Sequence, residues 1–285
     1  MTLDFNQHVI DQFRAGQGRV GPPFENARLL LLTTTGARTG DRHTTPLGYL
    51  LDEEPDRLYV IPSAGGSPRH PAWFHNLRKN PLVTVETGAF TYEARARVLQ
   101  GRERERIFAR AVESDPGWQR YEDASGRTLP VVALESEGPP APGPARPGDA
   151  LKLIHDAMRR ELAIVRREVA ESGGTLGAQL RVNCLAVCQG LGHHHRMEDA
   201  HLFPRVGEQY PELADVMARL RREHEEIARL LEELRRLLGA EHAEHAEHAD
   251  RAAVPAEVDR LTAQVEAHLD YEEENLIPLL NAAAP

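Results

Sequence analysis

The sequence predicts two folded units of different class: an antiparallel β-barrel with a few helices, followed by an all-α, up-down four-helix bundle. Two observations support this prediction. Short apolar runs alternate with turn residues before residue 137, whereas apolar residues recur at helical spacing after residue 149. Between these parts, the segment 138–148 reads GPPAPGPARPG, and its prolines disfavour helices and central strands. We therefore expect domains at 1–137 and 149–285, joined by a linker at 138–148.

The composition limits the classes of function. The chain of 285 residues, 41% of them hydrophobic, is long enough for two packed cores. Almost all of its formal net charge of -10 falls after residue 137, which argues against nucleic acid as a partner because phosphates need clustered Lys and Arg. No run of about 18 apolar residues and no signal peptide is visible. We therefore expect a cytoplasmic protein without a membrane span. The only two cysteines, Cys184 and Cys188, agree with this location.

Each element of the first half is predicted from a local pattern. Residues 4–15 have the spacing of a short amphipathic helix, and segments 71–80 and 102–113 also have helical patterns. Turn residues separate the remaining aliphatic and aromatic runs, which predict strands. The absence of a regular strand–helix–strand alternation favours an antiparallel barrel over a doubly wound sheet. The predicted strands are 28–35, 46–51, 58–62, 82–87, 90–99 and 130–134.

Four long helical stretches are predicted in the second half. Short connections between them indicate an up-down bundle made of two consecutive hairpins. The low-complexity segment EHAEHAEHAD at 241–250 separates the third helix from the fourth, and we interpret His242, His245 and His248 as solvated spacer residues. The predicted helices are 149–172, 175–200, 212–239 and 253–274.

A repeated pattern of possible metal ligands runs through these four helices. A histidine on the first helix is followed by an HxxxE pair on the second, and the third and fourth helices repeat this order. Each of these residues continues the apolar stripe of its helix, so all of them should face the bundle core. Buried carboxylates need compensating cations, and no Lys or Arg lies on these stripes. We therefore predict a metal site formed by His155, His194, Glu198, His224, His268 and Glu272.

The ligand set favours iron over zinc. Zinc normally takes a tetrahedral set that often includes Cys, whereas imidazoles and carboxylates spread over four helices suit two iron ions bridged by glutamates. Such a centre keeps positions open for dioxygen, peroxide or nitric oxide. His195 with Asp199 is a register-shifted alternative to His194 with Glu198, and the apolar stripe favours the latter pair.

Residues 149–285 resemble the hemerythrin-like HHE cation-binding domains, most clearly in the segments HHHRMEDAHLFP and HLDYEEENLIP. The resemblance implies a hemerythrin-like bundle with a non-haem di-iron centre that binds or reacts with small oxidants. Hemerythrins that bind oxygen reversibly have a fifth histidine. In this sequence His193, His195 or His201 could supply it, and the repeated pattern selects none of the three.

Three segments of the first half suit a flat, anionic cofactor. TTTGARTGDRHTTPL at 33–47 is a turn leaving a strand, whose backbone N–H groups could hold an anion together with Arg38 and Arg42. IPSAGGSPRHPAWFHNL at 61–77 joins a Ser-Ala-Gly-Gly turn to a helix start, and such a turn lets a ring or phosphate approach the backbone. Trp118 and Tyr121 precede GRTLPVVAL and are candidates to cover one side of the pocket.

In this order and spacing, residues 5–135 resemble the F420 (deazaflavin)-dependent nitroreductase and quinone reductase family. FRAGQGRVG, NLRKNPLVTVE and the Arg-Glu-Arg cluster that begins at Arg102 belong to the same resemblance. It implies a split β-barrel of the flavin-reductase-like type, which binds reduced F420 and passes hydride to quinones or nitroaromatics. The cofactor carries the reaction and the protein orients it. Such barrels commonly pair, so a homodimer is possible.

The resemblance also assigns residues in the barrel. The candidate catalytic residues are Trp118, Tyr121 and Ser63. Members of the family often have Lys in a Ser-Lys-Gly-Gly turn, where this chain has Ala64, and Arg at the position of His43. The cofactor is therefore F420, FMN or another flavin, or the site is degenerate. The candidate cofactor-binding residues are Thr35, Gly36, Arg38, Thr39, Arg42, His43, Pro46, Leu47, Ser63, Ala64, Gly65, Gly66, Trp73 and Asn76.

Two functions are compatible with these predictions. The first is a cytoplasmic redox enzyme that combines an F420H2-dependent quinone or nitro reductase barrel with a di-iron domain that binds or reduces oxygen, peroxide or nitric oxide. The second is a di-iron sensor or binding protein for oxygen, nitric oxide or iron, in which the barrel is catalytically inactive. Both involve small molecules as partners and neither involves nucleic acid.

Overall fold

The computed structural model describes residues 2–25, 27–54, 57–138, 141–142, 146–172, 176–238 and 248–282. The chain divides into two compact units. The barrel unit is Met1–Gly143 with Gly177–Val182, and the helical unit is Pro144–Leu176 with Asn183–Pro285. A curled antiparallel sheet dominates the first and helices form the second, which confirms the predicted fold class. None of the described helices is long and apolar enough to cross a membrane.

One antiparallel sheet organises the barrel unit. Its described strands are β1 (Leu29–Thr35), β2 (Arg42–Gly48), β3 (Leu50–Leu51), β4 (Arg57–Val60), β5 (Leu82–Glu86), β6 (Phe90–Val98), β7 (Val132–Ser136) and β8 (Ala141–Pro142). The strand order is β2-β1-β5-β6-β7-β4-β3, and β8 pairs with β6. The two strands at the ends of this order, β2 and β3, are separated in the chain by Tyr49 alone. The sheet therefore has to curl until its edges approach each other, as in a small barrel.

Both faces of β1 are buried, because successive side chains of a strand point to opposite sides. Leu30 and Leu32 join the apolar cluster inside the curled sheet, together with Trp73. Leu31 points the other way and packs in a separate cluster with Phe13. A third cluster joins helical residues to the outer face of β4 and β7. The helices that supply these contacts are α1 (Thr2–Ala15), α2 (Ala72–Lys79), α3 (Gly101–Ser114) and α4 (Gly117–Ser125).

Two elements of the barrel unit differ from the sequence prediction. Residues 42–45 are polar and were assigned to a turn, yet they form the first half of β2, where Thr44 pairs with Thr33. The β-branched side chain of threonine suits a half-buried strand, so polarity alone is a poor guide here. Helix α4 was not predicted, because only Gly117 and Ser125 are buried in it and no apolar stripe marks the helix.

The helical unit contains the four predicted stretches with altered ends. The second stretch continues past residue 200 through a π-helical turn, and the fourth continues past residue 274 through Pro278. Its last part is anchored because Leu276 is fully buried in a cluster with Phe203 and Leu220. The described elements are α5 (Pro147–Glu171), α6 (Ala178–Met197), the π turn (Glu198–Leu202), α7 (Phe203–Gln209), α8 (Ala214–Leu238) and α9 (His248–Ala282).

The predicted linker is only partly described. Residues 139, 140 and 143–145 lie outside the described residues, and α5 already begins at Pro147, where a proline is tolerated in the first helical turn. His242 and His245 of the predicted spacer also lie outside the described residues, as does the side chain of His248.

Candidate metal centre and cofactor face

All six predicted metal ligands lie in the core of the helical unit. Their exposed fractions range from 0% for His155 and Glu272 to 9% for His194. Because the ligands continue the apolar stripes of their helices, packing of those stripes brings them to the bundle axis. By element, α5 carries His155, α6 carries His194, the π turn carries Glu198, α8 carries His224, and α9 carries His268 and Glu272.

The four imidazoles form two pairs. The Nε2 atoms of His155 and His194 are 3.1 Å apart. The Nε2 atoms of His224 and His268 are also 3.1 Å apart. Two imidazole nitrogens that converge in this way can both be ligands of one ion, and imidazole is a ligand that suits iron.

The two glutamates lie between the histidine pairs. Glu198 has its Oε1 atom 3.0 Å from Nε2 of His194 and its Oε2 atom 3.6 Å from Nε2 of His224. Glu272 has its Oε2 atom 3.7 Å from Nε2 of His155 and 3.6 Å from Nε2 of His268. Each carboxylate therefore reaches both pairs, which is the arrangement required of a bridging ligand.

The chemistry of these residues fits a pair of cations. The four carboxylate oxygens of Glu198 and Glu272 are buried, and none makes a hydrogen bond of good geometry. A buried carboxylate without partners is costly. Burial, together with the charge of Glu198, raises the pKa of Glu272 well above its usual value. Metal ions at the convergent nitrogens and oxygens would satisfy the oxygens and keep both groups ionised.

Three of the histidines are held from outside by carboxylates. A carboxylate that accepts a hydrogen bond from Nδ1 fixes the proton on that nitrogen and leaves the Nε2 lone pair free for a metal. The three carboxylates were not predicted from the sequence, although each belongs to a residue next to a predicted ligand in the chain. The contacts, each 3.0 Å long, join His155 to Glu273, His224 to Asp199, and His268 to Glu223.

The same contacts separate the two possible registers of the second helix. Glu198 is 4% exposed and lies at the centre. Asp199 is exposed and contacts the outer nitrogen of His224. The structure thus places His194 with Glu198 at the centre and gives Asp199 a supporting position. Among the three other histidines of this segment, His193 and His201 are exposed and His195 is buried.

In the barrel unit, α2 holds the turn that follows β1. Asn76 accepts a hydrogen bond from the N–H of Ala37 at 3.0 Å and donates one to Oγ1 of Thr34 at 3.1 Å. The ammonium of Lys79 donates to the carbonyl of Ala37 at 2.6 Å. The buried side chain of Asn76 therefore fixes the backbone of the turn, and Lys79 is a supporting residue that sequence reasoning missed.

Gly36, Thr39 and His43 lie together in this turn. A Cβ atom on Gly36 would lie 2.9 Å from Oγ1 of Thr39 and 3.2 Å from Nε2 of His43, so a larger residue would force them apart. Arg38 and Thr39 are exposed on the turn, and at Gly40 a Cβ atom would meet nothing within 4 Å. The turn therefore presents open backbone and a cation to solvent.

The register of β2 distributes the predicted residues over two faces of the sheet. His43 pairs with Thr34, and Arg42 pairs with Thr35. Neighbouring residues of a strand point to opposite sides, so Arg42 and Thr35 face away from His43. Arg42 donates to Oγ1 of Thr84 at 2.7 Å and, with Thr35, lines a pocket of about 410 Å³. The predicted set is therefore split between two faces.

Three further predicted residues lie in or against the core of the barrel. Trp73 is buried in the cluster inside the sheet, and half-buried Leu47 packs against that cluster. Pro46 is half-buried on β2 opposite Leu31. These residues support the fold of the barrel.

The Ser-Ala-Gly-Gly turn forms a short 3-10 helix, Ala64–Gly66, directly under α4. Gly66 has a φ of 82°, and a Cβ atom there would lie 3.1 Å from Cβ of Ala124, so glycine suits this position on both counts. Tyr121 is 41% exposed and also lies against Gly66. Ala64 is exposed on the turn. The fold therefore places Tyr121 beside this turn.

Gly65 and Ser63 complete the turn, and Trp118 lies beside Tyr121. Gly65 is exposed, and a Cβ atom there would meet nothing within 4 Å. Ser63 is half-buried, and its carbonyl accepts the N–H of Gly66 at 3.1 Å. The rings of Trp118 and Tyr121 are 6.2 Å apart, and Trp118 packs against the outer cluster of the sheet.

Arg127, which follows the C-terminal end of α4, holds the same turn by hydrogen bonds. It was not predicted from the sequence. Its guanidinium donates to the carbonyl of Pro62 at 2.9 Å and to the carbonyl of Ser67 at 3.2 Å. A third contact of 3.0 Å joins it to Nδ1 of His70, which must accept because guanidinium only donates. Burial and the charge of Arg127 lower the pKa of His70. The only sequence signal was an arginine after the helix-ending Gly126.

The exposed residues of the two turns fit a flat, anionic cofactor. Backbone is open at Gly40 and Gly65, Arg38 supplies a cation, and Tyr121 supplies an aromatic ring. Backbone N–H groups and a guanidinium are the groups that hold phosphate or carboxylate. Ala64 itself supplies no cation, so the positive charge at the second turn comes from Arg127.

Two family models match the chain, and their matches do not overlap. The model described as F420H(2)-dependent quinone reductase matches residues 6–136. The model described as Hemerythrin HHE cation binding domain matches residues 146–280.

Individual relatives resemble the first of these regions. An F420H(2)-dependent quinone reductase of Mycobacterium tuberculosis strain H37Rv is 34% identical over 126 residues, which is 43% of this chain and 83% of the relative. A putative F420H(2)-dependent quinone reductase of the same strain is 30% identical over 105 residues, 37% of this chain and 87% of the relative. The solved structure of an F420-H2 dependent reductase, FDR-A, is 35% identical and covers 38% of this chain and 94% of its own, with a TM-score of 0.35.

Proposed function

Because the chain belongs to the F420H(2)-dependent quinone reductase family over residues 6–136 and carries a hemerythrin HHE cation binding domain over residues 146–280, we propose that it is an F420-dependent oxidoreductase with a non-haem di-iron domain. The barrel would hold reduced F420, which when bound would supply hydride for the reduction of a quinone or nitroaromatic. The bundle binds or reduces dioxygen, peroxide or nitric oxide. One observation carries the di-iron part: two buried carboxylates without hydrogen bonds lie between two pairs of convergent imidazoles.

The residues of the barrel bind and orient the cofactor. F420, when bound, supplies the hydride chemistry. Arg38 and the open backbone of the first turn are the groups for its anionic part, and Asn76 keeps that backbone in place. Arg127 holds the second turn in the same way, and Tyr121 lies beside it. Preorganised backbone donors of this kind cost little reorganisation when a ligand binds.

Trp118, Tyr121 and Ser63 remain the candidate catalytic residues of this proposal. Tyr121 is the most exposed of the three at 41% and is the one best able to contact a bound ring. Ser63 belongs to the second turn and would contact a cofactor bound over that turn. Trp118 would act through Tyr121, since their rings are 6.2 Å apart.

The residues of the bundle hold and orient the metal. His155 and His194 would bind one iron, His224 and His268 the other, and Glu198 and Glu272 would bridge them. Iron in such a site supplies redox chemistry and binding of small oxidants. The outer carboxylates keep the Nε2 lone pairs of three histidines directed inward.

A second candidate function is favoured by Ala64. With no cation at this position, the barrel would bind the anionic part of F420 less tightly, and in this alternative the barrel is catalytically inactive. The chain would then be a di-iron sensor or binding protein for oxygen, nitric oxide or iron. Turnover separates the two candidates, because a sensor with an inactive barrel does not oxidise F420H2 in the presence of a quinone.

A cytoplasmic setting and a homodimer are further parts of the proposal. The two cysteines are buried and form no disulfide, which suits a reducing compartment. Light scattering coupled to size-exclusion chromatography measures the oligomeric state directly. A monomeric mass at the concentrations used for catalysis contradicts the dimer.

One preparation tests both halves of the proposed function. The chain is loaded anaerobically with ferrous iron, its iron content is measured, and F420 and FMN are titrated separately. We expect about two irons per chain and tighter binding of F420 than of FMN, followed by oxidation of F420H2 with menadione. Iron well below two per chain contradicts the di-iron centre. Absent turnover together with undetectable F420 binding contradicts the reductase.

Two arginine variants test which face of the sheet holds the cofactor. Arg38→Ala is expected to weaken F420 binding roughly tenfold, which corresponds to one lost charge-assisted contact. Arg42→Ala is the matched control, because Arg42 lies on the opposite face and contacts Thr84. Equal losses in the two variants would contradict the assignment of the cofactor to the face that carries His43.

A further inference from the structure

The pocket on the outer face of the barrel sheet lies apart from the proposed cofactor-binding turns. Its volume is about 410 Å³, which suits a small molecule, and residues of β1, β2, β5 and β6 line it. We propose that this pocket binds a small zwitterion, an α-amino acid with an aliphatic side chain. All of its lining residues belong to the barrel unit, and the inference depends neither on the reductase part nor on the di-iron part of the proposed function.

Strand register determines which side chains meet in this pocket. Val83 and Ala94 point into the apolar cluster inside the sheet, so their chain neighbours Thr84 and Glu93 point outward. Thr84 of β5 lies directly opposite Thr33 of β1 on one side and directly opposite Glu93 of β6 on the other. Thr33, Thr84 and Glu93 therefore form one row across the outer face of three neighbouring strands.

A cation and an anion enter the pocket from opposite sides. Arg42 of β2 reaches over β1, and its Nη2 atom donates to Oγ1 of Thr84 at 2.7 Å. Glu93 stands on the other side of Thr84. Within the described part of the chain, no ion pair joins Arg42 to Glu93 or either of them to another residue. The guanidinium of Arg95, which also lines the pocket, is different because its Nε atom donates to Glu137.

The two charges of the pocket match the two charged groups of an α-amino acid. A guanidinium binds a carboxylate, and a carboxylate accepts hydrogen bonds from an ammonium group. Arg42 and Glu93 flank a single threonine, so they suit a ligand that carries both of its charges on one carbon atom. A simple anion would meet the like charge of Glu93, and a simple cation would meet that of Arg42. The threonine hydroxyls suit either charged group, because a hydroxyl can donate or accept.

An apolar wall beside the charges indicates the side chain of the ligand. Pro81 and Leu82 line the same pocket, and Leu82 is 44% exposed although it belongs to a strand. Removing apolar surface from water is favourable, so an aliphatic group that covers Leu82 stabilises the complex. Leu82 lies opposite Arg95, one row away from Thr84 and Glu93. The pocket therefore favours an aliphatic amino acid over a polar one.

Water is the alternative partner of both charges. Arg42 and Glu93 are exposed, and charges on a protein surface are commonly solvated without binding a ligand. Three compounds with the same carbon skeleton separate the two possibilities. L-leucine carries both charges, 4-methylpentanoate lacks the ammonium group, and 3-methylbutylamine lacks the carboxylate.

The test is isothermal titration of the full chain with each of the three compounds. L-leucine should bind roughly tenfold more tightly than either of the others, because each of these lacks one charge-assisted contact. Arg42→Ala and Glu93→Gln should each weaken the binding of L-leucine by a similar factor, and E93Q should not weaken that of 4-methylpentanoate. The matched controls are Arg38→Ala, on the first turn, and Glu105→Gln, exposed on α3. Circular dichroism verifies that each variant folds.

Three results would overturn the inference, and two of them require no variant. Undetectable binding of all three compounds shows that water or a second copy of the chain covers this face. Equal affinities for L-leucine and 4-methylpentanoate show that the pocket does not recognise a zwitterion. Binding of L-leucine that neither R42A nor E93Q weakens shows that the amino acid binds elsewhere. Iron content and F420 affinity are measured separately, so each of these results leaves the proposed function intact.

Discussion

The proposed metal centre of the helical unit and the proposed cofactor-binding turns of the barrel unit are built in opposite ways. In the bundle, the site consists of side chains that are at most 9% exposed and that converge from four helices. In the barrel, it consists of exposed backbone turns, which are held in place by side chains such as Asn76 and Arg127 from other elements. A site made of side chains at periodic positions can therefore be recognised in a sequence, whereas a site made of turns that other elements support can be recognised only in part.

The two sites also differ in what a substitution should do. At the metal centre, loss of one ligand affects metal binding directly, while the iron-free fold tolerates it. On the barrel face, loss of a supporting side chain loosens a turn and weakens cofactor binding by a smaller factor. The following predictions, in order of expected size, test whether the two sites behave independently and in these two ways.

The largest effect is expected for Glu272→Gln at the metal centre. Iron content should fall from about two to at most about one per chain, because a neutral amide is a poor bridging ligand. The iron-free protein should be about as stable as before, since burial raises the pKa of Glu272 well above its usual value and so favours the neutral form that glutamine resembles. Metal analysis and thermal unfolding measure the two quantities, with Glu274→Gln as the exposed control. Unchanged iron content in E272Q would show that Glu272 is not a ligand.

The second prediction concerns a buried ion network of the barrel unit. Asp52 is 3% exposed and accepts hydrogen bonds from the hydroxyl of Tyr59, at 2.8 Å, and from Arg57. Asp52→Ala should lower the stability of the barrel by about 3–5 kcal/mol, because it leaves the buried guanidinium of Arg110, whose Nη1 atom is 3.6 Å from Oδ1 of Asp52, without its carboxylate. Both tryptophans, Trp73 and Trp118, belong to the barrel unit, so their fluorescence during urea unfolding reports on it.

Iron content is the companion measurement for Asp52→Ala. It should remain that of the unsubstituted chain, because all six predicted ligands lie in the helical unit. Asp41→Ala, at an exposed position, is the control for a generic effect of the substitution. A loss of iron in D52A would contradict the independence of the two sites, since it would show that iron binding depends on the barrel unit.

The third prediction tests a supporting residue of the metal centre. Glu223 holds Nδ1 of His268 at 3.0 Å. Glu223→Gln should weaken iron binding roughly 10–100-fold, as is typical when the partner of a ligating histidine is changed. Competition with a chelator of known affinity measures the change. Glu225→Gln on the same helix is exposed and should leave the affinity as it is; similar losses in both would indicate a general charge effect.

The fourth prediction tests the corresponding support in the barrel. Arg127→Ala removes the contacts to the carbonyls of Pro62 and Ser67 and should weaken F420 binding roughly tenfold. Arg127→Lys should restore only part of the affinity, because a lysine cannot reproduce the planar set of donors. Arg120→Ala, exposed on α4, is the control. Equal affinity of R127A and the unsubstituted chain would show that the second turn is not part of the site.

The smallest effect is expected from pH. The pKa of His70 is lowered from 6.5, by burial and then by the charge of Arg127, so the folded turn favours the neutral ring that accepts from Arg127. This stabilisation is complete above pH 6.5 and is lost as the pH falls through the lower pKa of the folded state. F420 affinity should therefore decrease a few-fold on acidification. The part of that decrease due to His70 should vanish in His70→Asn, which isothermal titration at several pH values measures.

Elements with a regular apolar pattern were predicted from the sequence, and elements without such a pattern were missed. The helices of the bundle were predicted because the apolar stripe repeats over many turns, and the histidines and glutamates occupy positions on it. The strand segment 42–45 and helix α4 were missed, because neither has an apolar pattern of its own. Both elements contain or adjoin candidate cofactor-binding residues, so these two errors affect the prediction of that site.

The two fold classes, their order along the chain and the six candidate ligands on the helical stripes could be predicted without a structure, because they depend on periodicity and spacing along the chain. Three features required the folded chain: Arg42 and His43 lie on opposite faces, Arg127 holds the second turn, and His195 is buried while His193 is exposed. The physical reason is that strand register, turn support and the burial of one histidine among several depend on contacts between residues that are far apart in sequence.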